Sequence, residues 1–264
     1  MDYDKSKNGG WVISKNNYLP GLRQLFDETR APILIIGASV FELYQMQGWI
    51  PSFKRQTGDI DLSVGIVQND SNYRAAKEKL ESLNYKVDSD HPYRFRPPKT
   101  IPGRLSYIDL LAYPTSSATK TEIAVKAMGV GLEFTFDGFE FAKKYSFELQ
   151  KNIFFPNVFG MLALKIESYE DDPNRRIKDF ADIIELISGL VENGQHFVIE
   201  KIWKQMSHEP EAIKVKNVLE SITKETPAWD YEDTRNDLLK RNFDAEFIDR
   251  TLLERIKDFL MALT

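Results

Sequence analysis

The sequence predicts an α/β (α+β) fold, with a mixed sheet and flanking helices over residues 18–155 and a helical C-terminal domain over residues 156–264. Three observations carry this. Short apolar runs bounded by Gly or Pro, such as Ile33 to Ile36, read as buried strands. Segments of helical spacing alternate with them, the order expected of a sheet covered by helices. After Pro156 almost all of the chain has helical periodicity, with breaks near Pro173, Gly194, Pro210 and Pro227. There is no internal repeat and no low-complexity tract.

Taken in order, residues 1–17 form a polar lead-in and Leu19 to Thr29 a helix. The strand Ile33 to Ile36 meets a sharp turn at Gly37-Ala38-Ser39, where Gly37 tolerates any backbone conformation and Ser39 is placed to cap the amphipathic helix that follows. A free helix N-terminus attracts phosphate. A loop from Gly48 to Gly58, containing Pro51, leads to a strand carrying Asp59-Ile60-Asp61-Leu62. Next come a helix over Asn72 to Leu83, short strands at Tyr85 to Val87 and Tyr93 to Phe95, and a strand from Arg104 to Ala112 with Leu105, Tyr107, Asp109 and Leu111 on one face. A Ser/Thr-rich loop, a short helix and strand-like segments at Leu132 to Phe136 and Tyr145 to Leu149 complete the first part.

Composition bounds the function. At 264 residues, 42% hydrophobic and 28% charged, the chain is an ordinary globular one with ample core. It has no cysteine, which excludes disulfides, thiolate catalysis and cysteine zinc sites and suits a reducing cytosol. The beginning MDYDKSKNGG lacks the pattern of a signal peptide, no apolar run is long enough to span a membrane, and a cytoplasmic location is expected. A formal net charge of −5 argues against a general nucleic-acid coat. It leaves room for a local basic rim of Lys54, Arg55, Arg94, Arg96, Lys99 and Arg104 around a triphosphate or an RNA end, with scattered solvated charge as the plain alternative.

Asp59 and Asp61, at i and i+2, share a strand face, while Ile60 and Leu62 turn to the core. Adjacent like charges call for a neutraliser, and Mg²⁺ needs only one or two protein carboxylates beside water and substrate phosphates. Asp109 stands alone in an apolar strand, where a charge is costly unless paired or metal-bound. An Arg such as Arg104 or a backbone amide would serve as its structural partner. Together with the acid pair it instead makes the set that two-metal phosphoryl transfer uses.

Gly37-Ala38-Ser39, Asp59-Ile60-Asp61 and the isolated Asp109 resemble the DNA polymerase beta type nucleotidyltransferase superfamily. Arg55-Gln56-Thr57-Gly58 leading into the acids, Leu162-Ala163-Leu164-Lys165 and Lys178-Asp179-Phe180-Ala181-Asp182 are most similar to the AbiEii-type toxins of type IV toxin–antitoxin systems. The likeness runs from about residue 30 to about 190. Ala38 departs from it, standing where a second Gly is common, which matters only if that position needs positive φ.

The resemblance implies a nucleotidyltransferase fold that moves an NMP from an NTP to a hydroxyl on RNA, tRNA or protein. Asp59, Asp61 and Asp109 would be catalytic and hold two Mg²⁺ ions; Gly37, Ala38, Ser39, Arg55, Thr57, Lys165, Asp179 and Asp182 would bind the nucleotide and its phosphates; a protein antitoxin would be the partner. The bland readings are an N-cap for Ser39, a snorkelling amine for Lys165 and surface pairs Lys178–Asp182 and Arg175–Asp179 flanking a helix whose buried stripe is Ile177, Phe180, Ala181 and Ile184. Two other functions stay open: a binding or regulatory module on the same fold, with the C-terminal helices as its docking surface, and a small-molecule (antibiotic) nucleotidyltransferase. His91, His196 and His208 have no ligand spacing, and the aromatics after Phe134 are read as core.

Overall fold

The structure is a computed structural model and describes residues 32–54, 59–66, 70–98, 107–114, 118–129, 138–150, 152–224 and 231–264. It is a mixed α/β fold. Among the described residues seven strands form one sheet: β1 (Ile33–Ile36), β2 (Asp59–Ile66), β3 (Lys86–Val87), β4 (Arg94–Arg96), β5 (Tyr107–Pro114), β6 (Phe147–Gln150) and β7 (Ile153–Phe155), in the order β3-β4-β5-β2-β1-β7-β6. Pairs β2–β5 and β1–β7 are parallel, and the others are antiparallel.

The helices of the sheet part are α1 (Ser39–Met46), α2 (Ser71–Ser82), α3 (Ala118–Met128) and α4 (Phe139–Lys144). The helical part contains α5 (Val158–Asp171), α6 (Ile177–Glu192), α7 (His196–Met206), α8 (Pro210–Ile222), α9 (Tyr231–Lys240) and α10 (Leu252–Met261), the last preceded by a π-helical turn at Phe247–Thr251. Pro173 lies between α5 and α6, Gly194 with φ +67° ends α6, and Pro210 opens α8 at a position where its missing N–H costs nothing. Among the described residues no helix is long and apolar enough to cross a membrane.

Period-two alternation gives the sheet two unlike faces. One carries Ile33, Ile35, Ile60, Leu62, Val64, Ile108, Leu110 and Ala112, matched across strands by register and all buried. This core continues without a break into the helical part through Phe159, Leu162, Phe180, Ile184, Ile256 and Phe259. Of the aromatic residues expected in the core, Phe136 lies outside the described residues and the others are packed there, Phe141 and Phe155 fully buried; so are the apolar side chains of the C-terminal helices, Leu252 and Ile256 fully and Phe243, Phe247, Leu253 and Leu260 partly buried. The opposite face carries a smaller cluster, Leu34, Ile36, Tyr113, Phe139 and Ala142, under α4 and α5. Beyond it, that face becomes polar.

Several expected elements shift. The helix predicted over Asn72 to Leu83 starts and ends one residue earlier, and the strand predicted at Tyr145 to Leu149 runs over Phe147–Gln150, because Tyr145 ends α4. The short helix after Pro114 is an eleven-residue one. Helix α4 and strand β7 were not anticipated, since a run as aromatic as Phe139 to Phe155 has no clear period of either kind. The expected helix at 19–29, the strand at 132–136, residues 104–106 and the site candidates Arg55 and Thr57 lie outside the described residues.

Helices α4 and α5 meet at Gly160, where an added Cβ would stand 3.0 Å from Ala142 Cα and 3.2 Å from Pro156 Cβ. Helix propensity alone favours Gly160→Ala by about 1 kcal/mol, but overpacking of this kind costs about 1–3 kcal/mol. Urea unfolding of Gly160→Ala is therefore expected to show net destabilisation, and a gain in stability would refute the close approach of the two helices.

Candidate functional site

The polar face is ordered by strand register. Arg94 pairs with Asp109, Asp109 with Asp61, and Asp61 with Ile36, so one row crosses β4, β5, β2 and β1; Asp59 and Tyr107 are partners in the next row. The three carboxylates expected on one face, Asp59, Asp61 and Asp109, are thus on that face of two adjacent parallel strands. Asp61 lies against the turn after β1, where a Cβ added to Gly37 would stand 1.9 Å from its Oδ2. Gly37 also has φ +71°, so both conformation and space demand glycine. Ala38 is in the ordinary helical region (φ −68°, ψ −21°), and its methyl is accommodated without strain.

The capping role expected of Ser39 is not seen. Ala38 takes the N-cap position, Ser39 is the first helical residue, and its hydroxyl donates to the Ile36 carbonyl at 3.0 Å. The turn leaves the strand already in a helical conformation at Ala38, one residue before the serine could cap.

Asp109 does have an arginine partner, but it is Arg94 rather than Arg104. Arg94 Nε donates to Asp109 Oδ1 at 2.8 Å and Nη2 to Oδ2 at 2.9 Å, a bidentate pair with Asp109 buried. The guanidinium also lies over the Tyr107 ring, 3.6 Å from its centroid, and bonding to Asp109 raises the Arg94 pKa still further. Burial, the Asp59 charge beside it and a hydrogen bond to Asp59 push the Tyr107 hydroxyl up. Tyr93 is also raised, by burial and then by Asp109, with Arg176 acting the other way. The expected basic rim does not stand free: Arg94 is bound to Asp109, Arg96 to Asp88 and Lys54 to Asn242, while Arg55, Lys99 and Arg104 lie outside the described residues.

Asp59 and Asp61 present a donor set that suits Mg²⁺, which requires one or two protein carboxylates. Among the described residues no three His, Cys, Asp or Glu side chains are grouped so as to hold a metal ion, and both oxygens of Asp109 are engaged by Arg94.

The other expected site residues form a second cluster. Lys165 does not snorkel. Its ammonium is buried and donates to Asp179 Oδ1 at 2.5 Å and Asp182 Oδ2 at 2.7 Å. The surface pairs read from i, i+4 spacing are not formed as expected, because Asp179 and Asp182 turn inward to Lys165, with Ser168 and Arg176 also on Asp179. The other oxygen of Asp182 accepts from Arg241. Burial would raise the Asp179 pKa, but Lys165, Arg176 and Ser168 outweigh it and hold the group below the ordinary carboxylate value. Burial wins at Glu185, whose pKa is raised despite Lys54 and Arg241.

Sequence reasoning missed Tyr107, Glu185 and Arg241, and placed Arg94 only in a basic rim. The alternation in Arg94-Phe95-Arg96 signals a strand with both arginines on one face, but its register with β5 is a tertiary fact. Comparison of the chain with protein-family models, with curated proteins and with solved structures gives no match.

The lowered Asp179 pKa fixes a sign. Between the folded value and the unfolded one near 3.9 the unfolded chain binds more protons, so this group stabilises the fold above about pH 4 and loses that contribution as pH falls through its folded value. Asp179→Asn is expected to destabilise by about 3–5 kcal/mol at pH 7, the cost of breaking a buried pair. Urea unfolding should show that difference shrinking by pH 3, and a difference independent of pH would contradict the pairing.

Proposed function

We propose that the chain is a metal-dependent nucleotidyltransferase of the cytoplasm, moving a nucleoside monophosphate from an NTP to a hydroxyl on RNA, tRNA above all, or on a protein. The AbiEii-type toxins are the pattern it follows, and a protein antitoxin is the partner that pattern brings. The observation that carries the reading is the shared face of Asp59, Asp61 and Asp109 on adjacent parallel strands, with Asp61 seated on Gly37 at the turn into α1.

Asp59 and Asp61 would hold the divalent cations, which when bound would supply charge neutralisation at the phosphoryl group. The chain's own work is positioning, the larger part of such catalysis. Asp59 and Asp61 would keep the triphosphate in place for in-line attack, in which the acceptor oxygen bonds to the α-phosphorus as the bond to the pyrophosphate oxygen breaks. Asp109 takes the hydroxyl proton, which requires Arg94 to release at least one of its oxygens.

A second reading, a nucleotide-binding regulatory module, is favoured by one specific observation. Asp109, assigned to the metal ions and the acceptor proton by the resemblance, and Lys165, assigned to the nucleotide phosphates, are both engaged by ion partners. Incubation with each of four α-labelled NTPs, Mg²⁺, total RNA and a protein extract separates the two. Transfer is expected to give Mg²⁺-dependent label on nuclease- or protease-sensitive bands, lost in the Asp59→Ala/Asp61→Ala variant. Mg·NTP binding without label moves the assignment to the module, and absence of both binding and label refutes each reading.

A further inference from the structure

We propose that Arg241 is a positioning residue for the acid strand, acting through Glu185 on the backbone of Lys54. Arg241 follows α9 in a part of the chain beyond the motifs discussed above, yet its side chain is only 7% exposed and its donors are fully directed. Nη1 bonds Asp182 Oδ1 at 2.7 Å and Glu185 Oε2 at 3.1 Å. Nη2 bonds the Lys178 carbonyl at 2.9 Å and Asp237 at 2.7 Å, and Nε bonds Asp237 at 2.8 Å. The other oxygen of Glu185 accepts the backbone N–H of Lys54.

A second tie reaches the same place. Lys54 Nζ donates to the carbonyl of Asn242 at 2.9 Å and sits 3.7 Å from the centre of the Phe243 ring, so the residues next to Arg241 hold the lysine side chain while Glu185 holds its main chain. The helical part thus holds Lys54, five positions before the acid strand, by both its main chain and its side chain.

The chemistry explains why ions, not hydrocarbon, fill this space. An apolar cluster of similar volume would be no less stable than buried ion pairs, but it could not orient a backbone amide. Without Arg241, Glu185 would be a buried carboxylate facing Asp182 with no cation of its own, and nothing would orient it as the acceptor of the Lys54 amide. Arginine fits because its rigid fork serves three carboxylates and a carbonyl at once, which an ammonium on a flexible stem does not.

Single-residue hydrogen exchange on the full chain tests this without reference to activity. In Arg241→Met the Lys54 amide is expected to exchange at least tenfold faster than in wild type, while the Leu110 amide, bonded to the Tyr93 carbonyl within the sheet, is unchanged. Ile256→Val, which trims a buried apolar side chain of α10 and removes no hydrogen bond or ion pair, should leave Lys54 as in wild type. No change at Lys54 in Arg241→Met, or an equal change in Ile256→Val, overturns the proposal. If Arg241→Met does not fold, Arg241→Lys is read in the same way, since it keeps the charge and loses the directed bonds.

The consequence for chemistry rests on the nucleotidyltransferase reading. There kcat of Arg241→Met should fall on the order of a hundredfold with KM for the NTP little changed. A chain that transfers no label removes that reading and leaves the exchange result standing. A normal kcat alongside a freed Lys54 amide shows that the tie exists without positioning the acids, and overturns the proposal.

Discussion

The pairing of β2 with β5 governs most of what surrounds it. The two strands run parallel in register over eight residues, with β2 held on its other edge by antiparallel β1. Because side chains alternate with period two, a slip of one residue would send Ile60, Leu62 and Val64 to the polar face and the acids into the core. Burial of those aliphatics against Ile108, Leu110 and Ala112 excludes the slip, each side chain contributing about 1.5–3 kcal/mol. The row Arg94, Asp109, Asp61, Ile36 is thus fixed by hydrophobic packing on the other side of the sheet.

Charge is handled in two ways. Outside pairs such as Arg250–Glu246 are exposed on both sides and contribute about 0–1 kcal/mol each. The cluster of Lys165, Asp179, Asp182, Glu185 and Arg241 is buried, joins α5, α6 and the end of α9, and draws in the chain before β2. Desolvation there is repaid only because nearly every oxygen has a directed partner. That requirement gives the cluster directed bonds that reach the chain at Lys54, outside the helical part.

What the sequence disclosed and withheld follows from range. The strand at Ile33–Ile36, the shared face of Asp59 and Asp61, and the helix breaks at Pro173, Gly194 and Pro210 are encoded within a few residues of each position, and they are where the sequence placed them. The inward turn of Asp179 and Asp182 depends on a lysine fourteen and seventeen residues away and an arginine just past the end of α9, so i, i+4 spacing pointed to the wrong partners. Arg94 as the partner of Asp109 depends on antiparallel register, which no local pattern reports. Ser39 failed locally, since a serine after an alanine already in helical conformation has no cap to make.

The unbroken core across Pro156 bears on how such a chain can be inherited. The Tyr44 hydroxyl donates to the Pro156 carbonyl at 2.9 Å, α5 lays Phe159 and Leu162 in the main core and Leu164 against the smaller cluster, and Gly160 lets α4 rest directly upon it. A cut at the change from strands to helices would expose buried apolar surface on both pieces. The sheet with its acids and the helices with their ions are therefore poorly suited to being exchanged separately with other proteins, and sequence change in one half is constrained by the shape of the other.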